Sequence, residues 1–338
     1  MNILVTIPRT EVGKTFLSED VIHEITQSGT VKWNESAEQF SKLEMMQLLP
    51  NVDACLTGWG TPRFDAEIID SAPNLRIIAH TGGTVFPLVD PIVFQRGIHV
   101  SSGNKIYAMS VAEGVLAYML CALRKIPYYN SLLHQGGWKK DEDWNYGLFN
   151  KTIGLIGYGA TTKYLMELLP FFKVKIKIYS KHLTIADAQK LGAEKASLQE
   201  IFSSCDIISV HASQRPENIH LISKELLSML KPGSLFINTS RGNIVDETAL
   251  CDELRSGRFS AVLDVYEMEP LAKDSILRTL PNVILIPHMA GPTVDLRSRI
   301  TLEMLGEIKR CEQGLPLQYE ISEERMETMT QERNDLVK

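Results

Sequence analysis

Residues 151–182 read KTIGLIGYGATTKYLMELLPFFKVKIKIYSKH, and this stretch decides the fold. Its apolar run 153–156 predicts a buried strand, which leads into a turn that carries Gly157 and Gly159. Apolar residues at helical spacing follow, and the run 174–179 predicts a second strand. Strand, glycine turn, helix and strand within about 30 residues is the pattern of a dinucleotide-binding βαβ unit.

The glycines of this turn have separate physical roles. Gly157 permits the tight turn, and Gly159 removes a Cβ so that a pyrophosphate can reach the amides of Ala160 and Thr161 at the start of the helix. Thr162 stands where the pattern has a third glycine, which serves helix–strand packing. We therefore expect a slightly tilted helix and an intact anion site. The alternative is a chance Gly-x-Gly in a structural turn.

Composition limits the class of protein. The 338 residues suggest two domains, each able to bury a core, and 44% hydrophobic with 22% charged residues is ordinary for a globular chain. A net charge of −6 without a basic cluster argues against nucleic acid or an anionic membrane as a partner. The five cysteines form no CxxC pair, which predicts a reducing cytoplasm and no metal site.

The first hundred residues alternate between strand-like and helical patterns. Strands are predicted at 3–7, 30–33, 53–57, 75–79 and 98–100, and helices at 19–27, 36–48 and 64–71. This alternation predicts a parallel sheet covered by helices on both faces. Gly13-Lys14-Thr15 resembles the end of a P-loop, but Pro8 occupies the position of the required glycine, so we reject that site.

A second glycine loop follows a predicted strand at residues 79–84. Thr81, Gly82 and Gly83 lie at the carboxyl end of that strand, where open α/β sheets bind their ligands. Exposed backbone amides there can hold a carboxylate. A plain turn is the alternative.

The rest of the chain continues the alternation. Residues 110–125 predict a strong helix, 134–150 a polar and aromatic loop, and 292 onward a long amphipathic helix. Further strands are predicted at 206–210, 234–238, 260–265 and 283–286. The charged residues beyond 320 have no clear core-forming pattern and predict a frayed helix or a disordered tail. The N-terminal run is strand-like and lacks the pattern of a signal peptide, and no apolar stretch approaches 18 residues. We therefore expect the protein to be neither secreted nor membrane-spanning.

Three short motifs place polar side chains at strand ends of the sheet that carries the glycine turn. Arg241 lies in INTSRG (237–242), Glu269 in LDVYEMEP (263–270) and His288 in IPHMAG (286–291). Each residue alone could be a surface charge, a helix cap or a loop histidine. On one edge of one dinucleotide-binding sheet, the three together predict an Arg/Glu/His site.

The ordered set of motifs resembles the D-isomer-specific 2-hydroxyacid dehydrogenase family over about residues 50–315. The match also includes SVAE (110–113), Gly137-Trp138, His211 and MLKPG (229–233). The resemblance implies Arg241, Glu269 and His288 as the catalytic set. The family usually carries Gly-x-Gly-x-Asp-Asn at the carboxylate loop, and this chain reads GGTVFP at 82–87, which leaves the substrate open.

The resemblance also implies the wider architecture. We expect two Rossmann-like α/β domains, each a doubly wound parallel sheet, with the active site in the cleft between them. Residues 1–103 plus 291–338 would form a flavodoxin-like substrate domain, and 104–290 the NAD(P)-binding domain. His211, Thr239 and Asp264 would contact the cofactor, Asp264 at the nicotinamide carboxamide. Amides near Thr81 would hold the substrate carboxylate, and a homodimer would form through the nucleotide-binding domain.

The residue types suit reduction of a 2-oxo acid to a D-2-hydroxy acid. A histidine titrates near neutrality and can give a proton to the carbonyl oxygen. A glutamate on the other ring nitrogen orients the imidazole, and an arginine fork can hold the carboxylate. The alternative is an NAD(P)H-sensing binding protein, like the C-terminal-binding-protein corepressors of the same fold. Alanine dehydrogenase-like enzymes lack this Arg/Glu/His order.

Cofactor and substrate preferences follow from single positions. NAD-binding units place an acidic residue about 20 residues past the glycines, and here Ser180 and Lys181 stand there, which predicts a preference for NADP(H). A solvated Lys181 on an exposed strand face is the alternative. The lack of a basic cluster near residues 55–85 disfavours phosphoglycerate as substrate.

Overall fold

The structure is a computed structural model that describes residues 1–331. Contacts divide the chain into two compact units, one of Met1–Ala108 with the chain from Pro292 onward, the other of Met109–Gly291. The borders expected from the sequence were 103/104 and 290/291. Both units are parallel α/β sheets, which confirms the predicted fold class of two Rossmann-like domains.

The strands of the described chain are short and are numbered in order. They are β1 (Asn2–Val5), β2 (Thr30–Trp33), β3 (Ala54–Thr57), β4 (Ile77–His80), β5 (His99–Ser102), β6 (Thr152–Ile156), β7 (Lys175–Tyr179), β8 (Glu194–Lys195), β9 (Ile207–Val210), β10 (Leu235–Asn238), β11 (Ser260–Leu263) and β12 (Val283–Leu285).

The α-helices of the same residues are numbered likewise. They are α1 (Glu11–Phe16), α2 (Glu19–Gln27), α3 (Lys42–Leu48), α4 (Ala66–Asp70), α5 (Pro91–Gln95), α6 (Asn104–Leu123), α7 (Ile126–His134), α8 (Ala160–Leu168), α9 (Ile185–Lys190), α10 (Leu198–Ser204), α11 (Lys224–Ser228), α12 (Glu247–Leu254), α13 (Val294–Glu312) and α14 (Glu323–Glu327).

The first unit contains a five-stranded sheet in the order β2-β1-β3-β4-β5. All of its neighbouring strands run parallel. The central strands β3 and β4 are buried along their whole length, because helices cover both faces. Their carboxyl ends therefore share one edge of the sheet, and the loop 81–84 leaves from that edge.

The second unit contains a seven-stranded parallel sheet in the order β12-β11-β10-β9-β6-β7-β8. Successive side chains of β6 point to opposite faces: Ile153 and Leu155 pack with α6 and α8, whereas Ile156 packs with α10 and α12. Because each face has its own apolar layer, the strands read as continuous hydrophobic runs. The strand order reverses at β6, whose carboxyl end carries the glycine turn.

The predicted helix 36–48 begins later, at Lys42. Ser41 is its N-cap and forms a capping box with Glu44: the Glu44 amide donates to the Ser41 hydroxyl at 3.3 Å, and the Ser41 amide donates to Glu44 at 2.7 Å. The rejected P-loop residues Gly13-Lys14-Thr15 lie inside α1, which Thr10 caps.

The tail beyond residue 320 was expected to be a frayed helix or disordered and to lack a core-forming pattern. Its described part does contain a short helix, but the expected lack of core contacts is wrong. Residues 323–327 form α14, and Ile321, Met326 and Met329 are buried in the core of the first unit. Three apolar residues among many charged ones gave no core-forming pattern in the sequence, but each fills a place in an existing core. The part of the prediction that concerns residues 332–338 lies outside the described residues.

Helix α6 corrects a second expectation. By length and composition it could cross a membrane, although the sequence suggested that no apolar stretch approaches 18 residues. Lys105 and Glu113 interrupt the apolar run of this helix in the sequence. A single helix of this kind is weak support for a span, because core helices pass the same test. Here Ala112, Val115 and Met119 are fully buried in the core of the second unit.

Candidate active site

The glycine turn after β6 has the geometry that its sequence predicts. Gly157 has φ +104°, and a Cβ there would lie 2.8 Å from the carbonyl oxygen of His211 and 2.7 Å from the amide of Ala212. Both contacts are with backbone, so only glycine fits. A Cβ on Gly159 would have nothing within 4 Å, so the surface above it is open.

Helix α8 starts at Ala160, directly after this open surface, and Gly159 caps it without a side chain. The amides of Ala160 and Thr161 belong to the first turn, which has no intrahelical acceptors and attracts anions. Thr162 is fully buried, and its hydroxyl donates to the Gly157 carbonyl at 2.8 Å. The missing third glycine is therefore replaced by a hydrogen bond that ties the helix to the turn.

The end of β7 carries the residues that bear on cofactor preference. The Ser180 hydroxyl is partly buried and accepts from the His182 amide at 3.3 Å, while Lys181 is exposed. Lys177, one of the basic residues before it, forms an ion pair with Glu194 at 3.2 Å. Positions 180 and 181 are serine and lysine, so neither carries the acidic side chain of NAD-binding units.

Two further candidate cofactor residues follow β9 and β10. Among the described residues, the buried Nε2 of His211 and the hydroxyl of Thr239 have no hydrogen-bond partner. Burial lowers the pKa of His211 to about 4, so its imidazole is neutral at pH 7. Unpaired buried polar atoms beside a glycine turn are available to a ligand.

Arg241 is held in place by the loop that follows β10. Asn238 accepts from the Ser240 amide at 3.1 Å and donates to the Arg241 carbonyl at 3.0 Å. A Cβ on Gly242 would lie 1.9 Å from the carbonyl carbon of Tyr266, so the loops after β10 and β11 touch through their backbones. This contact brings the arginine loop against the loop that carries Glu269.

Glu269 and His288 form a direct pair. The carboxylate lies 2.7 Å from Nδ1 of His288 and accepts from the Tyr266 amide at 3.1 Å. Desolvation raises the pKa of Glu269, but the hydrogen bond and charge of His288, the Tyr266 amide and the charge of Arg241 outweigh it, and the pKa is lowered. The carboxylate is therefore ionised at neutral pH and suits a protonated imidazole partner.

Asp264 holds the histidine loop from beneath. It is 1% exposed, and its two oxygens accept from the amides of Met289 at 2.7 Å and Ala290 at 3.1 Å. The His288 amide donates to the Asp264 carbonyl at 2.9 Å, and His288 adopts a left-handed backbone with φ +52°. Burial raises the pKa of Asp264. Both carboxylate oxygens of Asp264 accept hydrogen bonds from backbone amides. The contact with a nicotinamide carboxamide that the resemblance implied stays a prediction.

The three catalytic candidates thus lie together in the second unit, at the ends of adjacent strands β10, β11 and β12. An imidazole bonded to a carboxylate can give and take a proton, and a guanidinium fork beside it can bind an anion. The pair leaves Nε2 as the ring nitrogen that can face a substrate.

The loop after β4 belongs to the first unit and differs from the expectation at Thr81. The Thr81 amide and hydroxyl both donate to the Thr57 carbonyl, at 2.8 and 3.0 Å. Thr81 is therefore committed to the sheet. Among the described residues the amides of Gly82 and Gly83 have no partner, so they remain as the donors of the candidate carboxylate site.

Sequence reasoning missed the side chains that surround this loop. His80 is 2% exposed, and a Cβ on Gly82 would lie 2.2 Å from its Nε2 and 2.9 Å from the Trp59 ring. Trp59 donates through Nε1 to the Tyr107 hydroxyl at 3.2 Å, and Tyr107 packs under Gly83. Trp59 follows β3 at the same sheet edge, so its position behind a strand end was a signal that could have identified it.

Comparison with known proteins adds a family. A family model described as D-isomer specific 2-hydroxyacid dehydrogenase, NAD binding domain, matches residues 116–290. D-3-phosphoglycerate dehydrogenase of Archaeoglobus fulgidus is 30% identical over 307 residues, which cover 90% of this chain and 58% of that protein. Glyoxylate reductase of Thermococcus litoralis is 31% identical over 261 residues, which cover 75% of this chain and 78% of that protein.

Solved structures share the whole fold. A phosphoglycerate oxidoreductase from Rhizobium etli superposes with a TM-score of 0.79 at 24% identity, covering 95% of this chain and 99% of that one. The chain spans 50% to 58% of the length of the D-3-phosphoglycerate dehydrogenases that it matches.

Proposed function

The chain belongs to the D-isomer specific 2-hydroxyacid dehydrogenase family, and from this premise we propose that it transfers a hydride between NAD(P)H and a 2-oxo acid. The product of the reduction would be a D-2-hydroxy acid. The observation that carries the proposal is the 2.7 Å contact between Glu269 and His288 on the sheet that bears the glycine turn. A nucleotide-sensing protein of the same fold would share these residues, so purified protein that binds NAD(P)H but reduces no 2-oxo acid would favour that alternative.

The chain offers a place for the dinucleotide. The open surface at Gly159 and the first-turn amides of Ala160 and Thr161 suit a pyrophosphate. The unpaired buried atoms belong to His211 and Thr239, which follow β9 and β10, the next two strands on one side of β6, and they suit polar groups of the cofactor. NAD(P)H, when bound, supplies the hydride for the carbonyl carbon of the substrate.

The chain's own residues supply the proton and the charge. His288 would donate its proton from Nε2 to the carbonyl oxygen and recover it in the reverse reaction. Glu269 holds the ring through Nδ1 and fixes its orientation. Arg241 would bind the carboxylate and oppose the negative charge that grows on the oxygen. Asp264 positions the histidine by fixing the loop at Met289 and Ala290.

Three full-length variants test these roles. His288→Ala should lower kcat by about 10²–10⁴-fold, the usual contribution of a general acid, with an unchanged dissociation constant for NAD(P)H. Glu269→Gln should lower kcat less and shift the pH profile. Arg241→Lys should still be severe, because an ammonium cannot make a forked contact. Normal turnover in His288→Ala from pH 5 to 9 would remove the histidine from the mechanism.

The proposed substrate carries no phosphate. Arg63 and Arg76 are the cations within residues 55–85, and both are engaged: Arg63 donates to the Phe86 carbonyl at 2.8 Å, and Arg76 to the Cys311 carbonyl at 3.0 Å. The aromatic rings of Trp59 and Tyr107 line the Gly82–Gly83 loop instead. A panel of glyoxylate, pyruvate, hydroxypyruvate, branched and aromatic 2-oxo acids and 3-phosphohydroxypyruvate, assayed with both cofactors, identifies the substrate class. Highest kcat/KM with 3-phosphohydroxypyruvate would contradict this part.

NADP(H) is the proposed cofactor. Ser180 and Lys181 replace the acid that would repel a 2′-phosphate, and the exposed Lys181 can approach that group. The test compares kcat/KM for NADPH and NADH in the wild type and in Ser180→Asp. The aspartate should move the preference toward NADH, with Ser180→Ala as the control for loss of the hydroxyl. A wild type that prefers NADH would reject the assignment.

We also propose a homodimer through the second unit. That unit exposes large aromatic side chains in the loop 134–150 and beside it: Trp138 is 73% exposed, Trp144 65% and Phe171 75%. Apolar patches of this kind mark interfaces. Sedimentation equilibrium should give a dimer for the wild type and a monomer for Trp144→Asp with Phe171→Asp. Leu43→Asp, an equally exposed site in the first unit, should leave the dimer intact.

The cytoplasm is the proposed compartment. All five cysteines are free, and Cys55, Cys205, Cys251 and Cys311 are buried. Free buried thiols suit a reducing environment.

A further inference from the structure

The described chain after α13 lies along the edge of the first sheet. The Ser102 amide donates to the Tyr319 carbonyl at 3.2 Å, and the Ile321 amide to the Val100 carbonyl at 2.8 Å. Ser101 and Glu320 form an antiparallel bridge. Residues 319–321 therefore cover the free side of β5, the edge strand of an otherwise parallel sheet.

A buried carboxylate fixes the beginning of this segment. Glu307 on α13 is 1% exposed, and it accepts from the Ser101 hydroxyl at 2.9 Å and from the amides of Gln318 and Tyr319 at 3.0 and 2.9 Å. Lys105 adds a hydrogen bond to the Gln318 carbonyl at 2.7 Å. The chain is thus directed along β5 from its first residues.

Apolar side chains hold the rest of the segment. Ile321, Met326 and Met329 are 8%, 1% and 5% exposed, and they belong to the same core cluster as Val85 and Leu88. Val85 and Leu88 lie in the turn that follows the Gly82–Gly83 loop. The C-terminal segment and the turn that follows the Gly82–Gly83 loop therefore share one apolar core.

A hydrogen bond joins the segment to that loop directly. The Thr84 hydroxyl donates to the Thr330 carbonyl at 2.9 Å and accepts from the Phe86 amide at 3.4 Å. On the other side of the loop, Ser102 and Asn104 both donate to the Gly83 carbonyl at 3.2 Å. The loop with the two unpaired amides is thus held at the Gly83 carbonyl and at Thr84.

We propose that residues 318–331 position the substrate-carboxylate loop, so that this C-terminal segment sets the affinity for the acid and leaves cofactor binding unchanged. The inference rests on the proposed function. Its physical basis is that two consecutive glycines have large conformational freedom, which a bound carboxylate would otherwise have to restrict. The contact of Thr84 with Thr330 and the packing of Met329 restrict it in advance. Thr84 is a positioning residue in this scheme.

The test uses full-length point variants and the 2-oxo acid with the highest kcat/KM in the panel. Thr84→Val keeps the shape and removes the hydroxyl, so it should raise KM, and the inhibition constant of oxamate, by about threefold to tenfold, the worth of one hydrogen bond. Met329→Ala should have a similar or larger effect. The dissociation constant of NAD(P)H and kcat should change by less than about twofold. Thr84→Ser should restore the wild-type KM, and the exposed Glu327→Ala should leave it unchanged.

Equal loss of kcat and cofactor affinity in Thr84→Val, or an unchanged KM in both variants, would overturn the inference. If no 2-oxo acid is reduced, the proposed function fails separately. The coupling is then measured by hydrogen exchange of the peptide that covers residues 82–89. Faster exchange in Thr84→Val than in Thr84→Ser supports it, and equal exchange rejects it.

Discussion

The glycine loops after β6 and β4 are alike in sequence, but different neighbouring atoms require glycine in each. Each follows a parallel strand, and in each a histidine lies so close to a glycine that a Cβ on the glycine would overlap it. Gly157 meets the backbone of His211, whereas Gly82 meets the side chain of His80. A substitution can remove the ring of His80, but no substitution removes the main-chain atoms of His211. The first loop is therefore fixed by its fold, and the second is fixed by its neighbours, so substitutions should separate them.

The largest effect should come from Gly157→Ala. Alanine would have to adopt φ +104° and overlap the backbone at His211 and Ala212. Strain of about 1–3 kcal/mol and overpacking of similar size should together lower the free energy of unfolding by roughly 3–5 kcal/mol. Chemical denaturation measures this loss, and fluorescence titration should show that NADPH binding is lost. His211→Ala in the same chain should give no recovery, since the overlap is with main-chain atoms.

Gly82→Ala should be less severe and, unlike the first, should be rescued. Its Cβ would lie 2.2 Å from the His80 ring, so the ring must shift in a packed site, at a cost of about 1–3 kcal/mol. KM for the 2-oxo acid should rise while NADPH affinity is retained. A double-mutant cycle with His80→Ala should give a coupling energy above about 0.5 kcal/mol. Additive effects in that cycle would erase the proposed difference between the loops.

The ring under Gly82 also predicts a pH dependence. Burial lowers the pKa of His80 to about 3, and the reference value in an unfolded chain is about 6.5. Between these values the unfolded chain binds more protons, so stability is lost as the pH falls below about 6.5. The slope is at most about 1.4 kcal/mol per pH unit. The difference in unfolding free energy between wild type and His80→Gln, followed from pH 7 to 4, should show this term. A pH-independent difference would mean that His80 titrates normally.

The smallest effects on stability should come from Gly159→Ala and Gly83→Ala. A Cβ would have no neighbour within 4 Å at Gly159 and ordinary contacts at 3.8 Å at Gly83, so each should cost below about 1 kcal/mol. Binding should separate the pair. Gly159→Ala should weaken NADPH only, and Gly83→Ala the 2-oxo acid only, both measured by steady-state kinetics. Parallel loss of both ligands in either variant would contradict separate sites.

The sequence was enough to predict which strand ends carry the candidate site, because the βαβ pattern and the three motifs are local. Strands β1 to β7 and β9 to β12 follow runs that were recognisable from their apolar residues, and their alternation with helices predicted the parallel sheets. β8 was not predicted, because Glu194-Lys195 is a polar pair that becomes a strand only beside β7. Its pairing is a tertiary effect.

The residues of the candidate site were predicted from the sequence, but only one of the contacts between them was expected. Glu269 and His288 are 19 residues apart, and their 2.7 Å contact was expected. The use of Asp264 to hold the amides of Met289 and Ala290 was not, since an aspartate at a strand end gives no sign of which donors it meets. Likewise Thr330 is 246 residues from Thr84, and neither residue type suggests a partner.

The close approach at Gly242 has a consequence for how such a protein can vary. The loops after β10 and β11 touch where a Cβ would lie 1.9 Å from the carbonyl carbon of Tyr266, and Arg241 and Glu269 sit on either side of that contact. An inserted or deleted residue in either loop would separate the two backbones and displace one candidate catalytic residue from the other. Changes of chain length should therefore accumulate elsewhere, in stretches such as 134–150. Where these two loops touch, the sequence can vary only by substitution of side chains and not by a change in loop length.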